Sequence, residues 1–428
     1  MQARSHHDFG VNLYGHMTGL LGLGVAARNT LRAMAERDVP RCYIDMDAGT
    51  GRSGRDFDLP AEACADVRGT YPVSLFHTNP TDVFSFAIDH PASIWAPDRV
   101  RACVPFWELP SLPLGVWRPF LGSCDRVLAP TCFIRDCVAH DCPDTDVVHY
   151  PQAVFIPQGV APARGAWGIP EAAFACLVVM DASSGFERKN PMGAVEAFRR
   201  AFPTATRDEA VLVVKMNDAS THSLYAPEIA QFRAMAEGDA RVIIIERSVS
   251  YAEVLSLNAS CDVLLSLHRS EGLGLNLMEA MSLSTVVVAT GWSGNMDFTT
   301  EDNAVLVPFT RTPVVSKHPA YSTRLIGEDQ RWAEPDVDAA AVALRALHED
   351  PERMARLKAR AAEDMELART RFLATTAFDE LRALHESGVL DTAEHAARSA
   401  AFRRALRVPL ARRVRRLAGN AARGLGVR

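Results

Sequence analysis

The chain has 428 residues, a net charge of −6, 48% hydrophobic and 23% charged residues, a composition that excludes disorder and low-complexity repeats. At about 150 residues per domain, it is long enough for two or three domains. No stretch reaches the roughly 18–20 apolar residues of a membrane span, and no apolar segment follows a basic start, so neither a spanning helix nor a secretory leader is expected.

Nine cysteines, an odd number spread from Cys42 to Cys261, do not read as a disulfide framework, and a reducing, cytoplasmic setting is expected. The charge is uneven. Residues 395–428 hold ten arginines and no acid, which leaves −16 on residues 1–394. An acidic body of that kind is a poor nucleic-acid binder, and no nucleic-acid partner is expected.

In chain order, short β-rich runs alternate with amphipathic stretches, the pattern of α/β folds with parallel sheets. Strands are expected at Val11–Tyr14, Cys42–Asp45, Val73–His77 and Arg126–Ala129, with a helix over Gly24–Glu36. The Pro- and Gly-rich segment Pro157–Pro170 reads as an interdomain linker. A second series follows: strands Ala175–Met180, Ala210–Lys215, Val242–Glu246, Val263–Leu267, Thr285–Ala289 and Ala304–Val307, with helices Pro191–Phe202 and Leu275–Met281 between them. Beyond about Pro335 the strands stop, and helices are expected over Asp338–His348 and Pro351–Arg371. The expected division is 1–165 and 166–345 as two Rossmann-like domains facing a cleft, 346–390 as helices packing back across them, and 391–428 as a basic amphipathic tail.

The most informative stretch is Leu267-His-Arg-Ser-Glu-Gly-Leu-Gly-Leu-Asn-Leu-Met-Glu-Ala-Met281. A strand runs into a polar loop and a glycine turn that opens a helix, so free backbone N–H groups at Gly272, Leu273, Gly274 and Leu275 form an anion site at the positive end of the helix dipole. Glu271 precedes that helix and Glu279 lies inside it. Without other support, the acid at the helix start could equally be a dipole-offsetting residue.

Glu271 and Glu279 in this setting resemble the paired glutamates of the retaining glycosyltransferases of family 4, bacterial surface-polysaccharide type. The resemblance spans roughly residues 10–310. Phe186-Glu-Arg-Lys-Asn-Pro-Met-Gly-Ala-Val-Glu-Ala-Phe198, Ala129-Pro-Thr-Cys-Phe133 and Gly291-Trp-Ser-Gly-Asn-Met-Asp-Phe298 are similar to further elements of that family. It implies the GT-B fold, Glu271 on the donor sugar, Glu279 on the ribose hydroxyls and Lys189 on the donor diphosphate. The family's Gly-Arg pair before that lysine is missing; Ser183 stands near its place. Arg188 is expected to replace the charge, with Ser183 and Ser184 donating hydrogen bonds, and Lys189 is the stronger candidate of the two cations.

The glycine loop between Gly15 and Arg28 also admits a dinucleotide fingerprint around Gly22 and Gly24, with Asp45 after the next strand. The gap from the first strand to Gly22 is too long for it, so the loop is read as one approaching the donor phosphate and acceptor, as the resemblance implies. Asp45 and Asp47 fit a metal-holding Asp-x-Asp, but their place after the second strand favours an ordinary strand-end turn. Cys132, Cys137 and Cys142 have the wrong spacing for zinc. No metal and no cofactor are expected. His77, Trp107 and Glu108 should reach the cleft edge as acceptor contacts. The tail places Phe402, Leu406, Leu410, Val414 and Leu417 among arginines, a pattern suited to an anionic membrane surface.

The function read from the sequence is a cytoplasmic, metal-independent retaining transferase moving a hexose from GDP-mannose or a UDP-hexose to a saccharide or lipid-linked acceptor in surface-polysaccharide synthesis. A GT-B sugar-nucleotide epimerase, a non-catalytic sugar-nucleotide binder and a dehydrogenase are the rivals.

Overall fold

The computed structural model describes residues 9–19, 22–47, 62–90, 98–113, 115–181, 184–217 and 223–401, together with 403 and 404. Its first domain contains β1 Val11–Gly15, α1 Gly22–Glu36, β2 Arg41–Asp45, β3 Val73–Phe76, α2 Pro80–Asp89, β4 Val100–Cys103, α3 Trp117–Leu121, β5 Arg126–Ala129, α4 Cys132–Asp141 and β6 Val147–His149. The second runs through β7 Phe174–Asp181, α5 Phe186–Lys189, α6 Pro191–Ala201, β8 Ala210–Asn217, α7 Ala226–Ala236, β9 Val242–Ile245, α8 Tyr251–Ala259, β10 Val263–Ser266, α9 Leu275–Ser282, β11 Val286–Thr290 and β12 Val305–Val307. A hairpin of β13 Phe309–Pro313 and β14 Arg331–Pro335 flanks α10 Thr323–Ile326, and α11 Val337–Glu349, α12 Pro351–Leu373 and α13 Ala377–Glu386 follow.

Each domain has a six-stranded, all-parallel sheet, ordered β2-β1-β3-β4-β5-β6 in the first and β12-β11-β10-β7-β8-β9 in the second. The strands read as continuous apolar runs because helices cover both faces; in β7 all but two of eight side chains are buried. In both sheets the first strand is flanked by strands that leave in opposite directions. That reversal opens a crevice at the carboxyl ends of β1 and β3 in one domain, and of β7 and β10 in the other.

The last helices return to the first domain. Phe372 and Phe378 pack on the buried Tyr150, and Arg37 and Arg126 pair with Asp379 and Glu380 on α13. Phe372 is fully buried, so replacing it with alanine would cost about 3–5 kcal/mol. Residues 393–401 are helical and dock on the first domain. There His395 Nδ1 lies 2.8 Å from Asp125, and Arg101 donates to Ser399 Oγ at 2.9 Å. Phe402 and residues 405–428, which carry most of the proposed membrane-facing pattern, lie outside the described residues. No described helix is long and apolar enough to cross a membrane.

The structure corrects two expectations and adds detail to a third. Cys42 and Cys64 form a disulfide, 22 residues apart, so the cysteines are not all thiols. The 157–170 segment joins β6 of the first domain to β7 of the second and is packed on the second: Arg164–Trp167 form a 3-10 turn, Trp167 is buried, and Ser256 and Ser260 of α8 and its end bond Ala161 and Ala163. Strands β4 and β6 and the β13–β14 hairpin were not foreseen. Strand β4 is hidden in the sequence by Arg101, which is buried because Ser123 O and Ser399 accept its N–H groups.

Candidate active site

The second domain's crevice gathers the charged groups. Helix α5 ends at Lys189, because Asn190 turns left-handed (φ 52°), caps α6 through Gly193 N–H and bonds Leu267 O at 3.0 Å. Pro191 then begins α6 in the position where a missing N–H is harmless. From the end of β10, Glu271 faces Lys189 and forms an ion pair with it; Arg188 Nη1 stands 3.3 Å from its other oxygen. The backbone N–H of Glu271 donates to Ser293 Oγ at 2.8 Å, and Ser293 holds φ at +79°. Thus two of the four non-glycine residues with positive φ among the described residues, Asn190 and Ser293, fix the two ends of the Lys189–Glu271 pair. Such strain costs on the order of 1–3 kcal/mol per residue and clusters where a site must be held in shape. Burial alone would raise the Glu271 pKa, but Lys189, Arg188 and His268 reverse that and hold it at about 2. Glu271 is a carboxylate at neutral pH.

Arg188 has a different place from the one its sequence suggests. It is 4% exposed, its Nε and Nη2 donate to Ser184 O, and Nη1 donates to Ser270 O. Burial works against its charge, while Tyr321, Glu271 and Glu108 outweigh burial and keep the guanidinium protonated. Its donors are committed inside the protein, so it braces Glu271 instead of standing free for a phosphate. Ser184 is present as the carbonyl beneath that brace. Ser183 lies outside the described residues.

Glu279, in α9, is buried beside Tyr251, whose hydroxyl donates to Oε1 at 2.8 Å. Burial lifts its carboxyl to about 7, with the Tyr251 bond opposing. Tyr251 is the first residue of α8, set by a capping box between Ser250 and Glu253. Burial lowers the Arg28 pKa to about 10, with Tyr251 and Asp45 opposing, and its guanidinium donates to Met17 O and Gly19 O and holds the glycine loop nearby. A Cβ on Gly22 would stand 3.8 Å from Leu275 at the start of α9, so this loop and the predicted anion site face each other across the cleft. A Cβ on Gly24 would fall 2.5 Å from Gly19 O, which restricts that position to glycine. Asp45 accepts from Thr18 and Asp47 N, and Asp47 pairs with His16 at 3.0 Å. Asp45 thus closes the strand-end turn, while Asp47 is tied to the loop after β1 through His16.

Gly272, Leu273 and Gly274 carry the turn into α9, but Gly272 also touches the first domain: a Cβ there would lie 2.9 Å from Trp107 O. Thr131 donates to Gly272 O at 3.0 Å, and Phe133 meets Trp292 edge-on. The two loop motifs around Thr131 and Trp292 therefore pack on one another.

Of the three acceptor residues expected in the first domain, His77 and Trp107 are buried and Glu108 is not. His77 is fully buried, bonded to Thr30 and packed on Phe106, and burial lowers its pKa to about 4. It is a neutral core histidine under α1. Trp107 is 3% exposed, donates to Ser111 O and stacks near Trp117 and Tyr321. Glu108 remains at the domain boundary, accepting from Tyr321 at 3.0 Å and facing Arg188 at 3.8 Å.

Tyr321 belongs to an element the sequence reading missed. Residues 314–330 leave the hairpin as a strap across both domains: Ser316 and Lys317 N–H bind Glu187, and Gln330 reaches Ser111 O. Beside it lies a cavity of about 290 Å³ lined by Arg118, Arg311 and Arg331, with Asp329 the one acid among its lining residues.

A family model described as glycosyl transferases group 1 matches residues 182–313, the stretch that holds Lys189, Glu271 and Glu279 and ends before the strap. No curated protein sequence matches the chain. Among solved structures, it is similar to sucrose-phosphate synthase from Thermosynechococcus elongatus, with a TM-score of 0.62 and 14% identity over 89% of this chain and 100% of that one. A glycosyltransferase from Rickettsia africae ESF-5 gives 0.59 and 10% over 88% and 99%. Anabaena Alr3699/HepE in complex with UDP and glucose gives 0.53 and 13% over 89% and 100%. These likenesses establish the GT-B fold; at such identities they carry no activity with them.

Proposed function

We propose that the protein is a retaining glycosyltransferase that moves a hexose from a nucleoside diphosphate sugar to a saccharide or lipid-linked acceptor. The observation that carries this reading is the Lys189–Glu271 pair, held by two strained turns at the switch point of the second sheet, inside the stretch that matches the group 1 glycosyltransferases.

The chemistry asks for charge stabilisation. As the bond between the anomeric carbon and the phosphate oxygen breaks, negative charge grows on the diphosphate. Lys189 exchanges Glu271 for that phosphate, and the backbone N–H groups at the start of α9 face it, an arrangement that stabilises the transition state more than the ground state. Glu271, released from Lys189 but still braced by Arg188, accepts hydrogen bonds from the sugar hydroxyls. Glu279 takes the ribose hydroxyls in place of Tyr251. The acceptor oxygen bonds to the anomeric carbon on the face the phosphate leaves, and its proton passes to the departing phosphate oxygen. No separate base is required, and no metal is assigned to the step.

The Anabaena protein's complex with UDP and glucose makes a UDP-hexose the first donor to try, with GDP-mannose second. The cavity beside the strap carries three guanidinium groups, of which Arg118 is already paired with Asp141 while Arg311 and Arg331 bond each other's carbonyls only at 3.3–3.4 Å; this excess of positive charge makes an acceptor carrying phosphate or carboxylate, such as a lipid-linked saccharide in surface-polysaccharide assembly, the one to try beside a neutral saccharide. The test is transfer from each donor to neutral and phosphate-bearing saccharides, followed by the anomeric configuration of the product. A product with the donor's configuration supports the reading; an inverted product refutes retention, and donor binding without any product favours the non-catalytic binder.

A further inference from the structure

Cys132 stands apart from the other thiols. Six of the seven free cysteines are buried, Cys137 and Cys142 among them, whereas Cys132 is partly exposed at the first position of α4. Its neighbours are His149, the last residue of β6, and Asp297, in the 3-10 turn Gly294–Asp297 of the second domain. His149 Nε2 lies 3.0 Å from Asp297 Oδ2, and Cys132 Sγ lies 3.8 Å from His149 Nδ1. One ligand atom from each residue falls within 4.8 Å of the others, and this is the one group of three metal-capable side chains found among the described residues.

Zinc bonds of about 2.0–2.3 Å to nitrogen, oxygen and sulfur, set tetrahedrally, space the ligand atoms roughly 3.3–3.7 Å apart. The two short contacts use different ring nitrogens, Nε2 to Asp297 and Nδ1 to Cys132, and with one nitrogen alone the three ligand atoms lie within 4.8 Å of one another, so a swing of the imidazole must draw them in to a common centre. The backbones are already fixed. Asp297 Oδ2 accepts the Cys132 N–H at 2.7 Å, Thr131 bonds Gly272 O, and Phe133 packs on Trp292. Partial exposure of all three leaves room for a water as the fourth ligand. A thiolate, an imidazole and a carboxylate together suit zinc and disfavour magnesium or calcium, which take oxygen alone.

We propose that Cys132, His149 and Asp297 bind one zinc-class divalent cation, which staples the first domain to the second at the contact between α4 and the turn holding Asp297. Binding forms a metal–sulfur bond and releases the thiol proton to water. Binding of the cation can be measured without the transfer reaction or its donor.

The test is titration of the untagged full-length protein with cobalt(II), which reports a thiolate ligand by a sulfur-to-metal absorption band. One equivalent should produce the band, and zinc should abolish it and raise the thermal midpoint. Cys132→Ser should remove both effects, and because the change is nearly isosteric at a partly exposed position and leaves the Thr131 cap in place, the fold should persist. Asp297→Asn should weaken binding about tenfold or more while keeping the sulfur band. No band in the wild-type protein, or an equal band in Cys132→Ser, overturns the proposal. Because neither readout involves sugar transfer, it stands or falls separately from the proposed activity.

Discussion

On the second domain's side of the cleft, Lys189, Glu271 and Glu279 stand on loops and a helix start that leave the sheet at its reversal point, with charges balanced by one another. On the first domain's side, His77 and Trp107 are packed into the core, and Glu108 is tied to Tyr321 and Arg188. On the proposed function, the first of these walls exchanges partners when a donor arrives, whereas the second ties the domains together. Charge in a strand-end loop is therefore not enough to identify a ligand contact. What separates Lys189 from Arg188, one residue apart, is whether its donors are already committed to backbone carbonyls.

Substitutions should divide along that line. The largest functional effect belongs to Lys189→Ala, expected to lower transfer about 100- to 1000-fold with little change in unfolding, as for loss of a single transition-state donor. Arg188→Ala should do the reverse of this in character: it strips the buried Glu271 and the half-buried Glu108 of their brace and should cost about 3–5 kcal/mol in denaturant unfolding. Equal stability loss in the two variants would erase the distinction between the walls.

A pH series sharpens the comparison inside the second domain. Glu271, depressed to about 2, lends stability above the ordinary glutamate range that is lost only as pH falls toward that value. Glu279, raised to about 7, works the other way: its favourable protonated form is present below the ordinary range and is lost as pH rises through about 7. Ribose hydroxyls bind a carboxylate better than a neutral acid, so nucleotide affinity should rise about tenfold from below to above that midpoint, and Glu279→Gln should flatten the profile. The smallest effect is Tyr321→Phe, which removes one bond to Glu108 and should cost about 1 kcal/mol without altering nucleotide affinity.

Much of the fold was legible because parallel strands covered on both faces read as apolar runs, and the loops after β7 and β10 carry their chemistry within a few residues of a strand. Glu271 and Lys189 could be singled out for that reason, and the structure brings the two side chains together. Tyr251 was not, since its meeting with Glu279 depends on the packing of α8 against α9, although the Ser250–Glu253 capping box marks it as a first helical residue. Tyr321 meets Glu108 across 213 residues of chain, and the strap that brings it there has neither strand nor helix periodicity. His77 looked like a cleft residue because it follows an apolar strand; only the packing of α1 over it reveals a core position. The disulfide between Cys42 and Cys64 joins a strand to a loop, a pairing that an odd cysteine count does not suggest.

The most direct measurement is calorimetric titration of the wild-type protein and Lys189→Ala with UDP, GDP, ADP and TDP in magnesium-free buffer. The account predicts that one diphosphate binds the wild-type protein and that Lys189→Ala weakens it at least about tenfold, the loss of one charged hydrogen bond. Binding of no diphosphate, or equal binding by the two proteins, would contradict the placement of the donor site at Lys189 and Glu271.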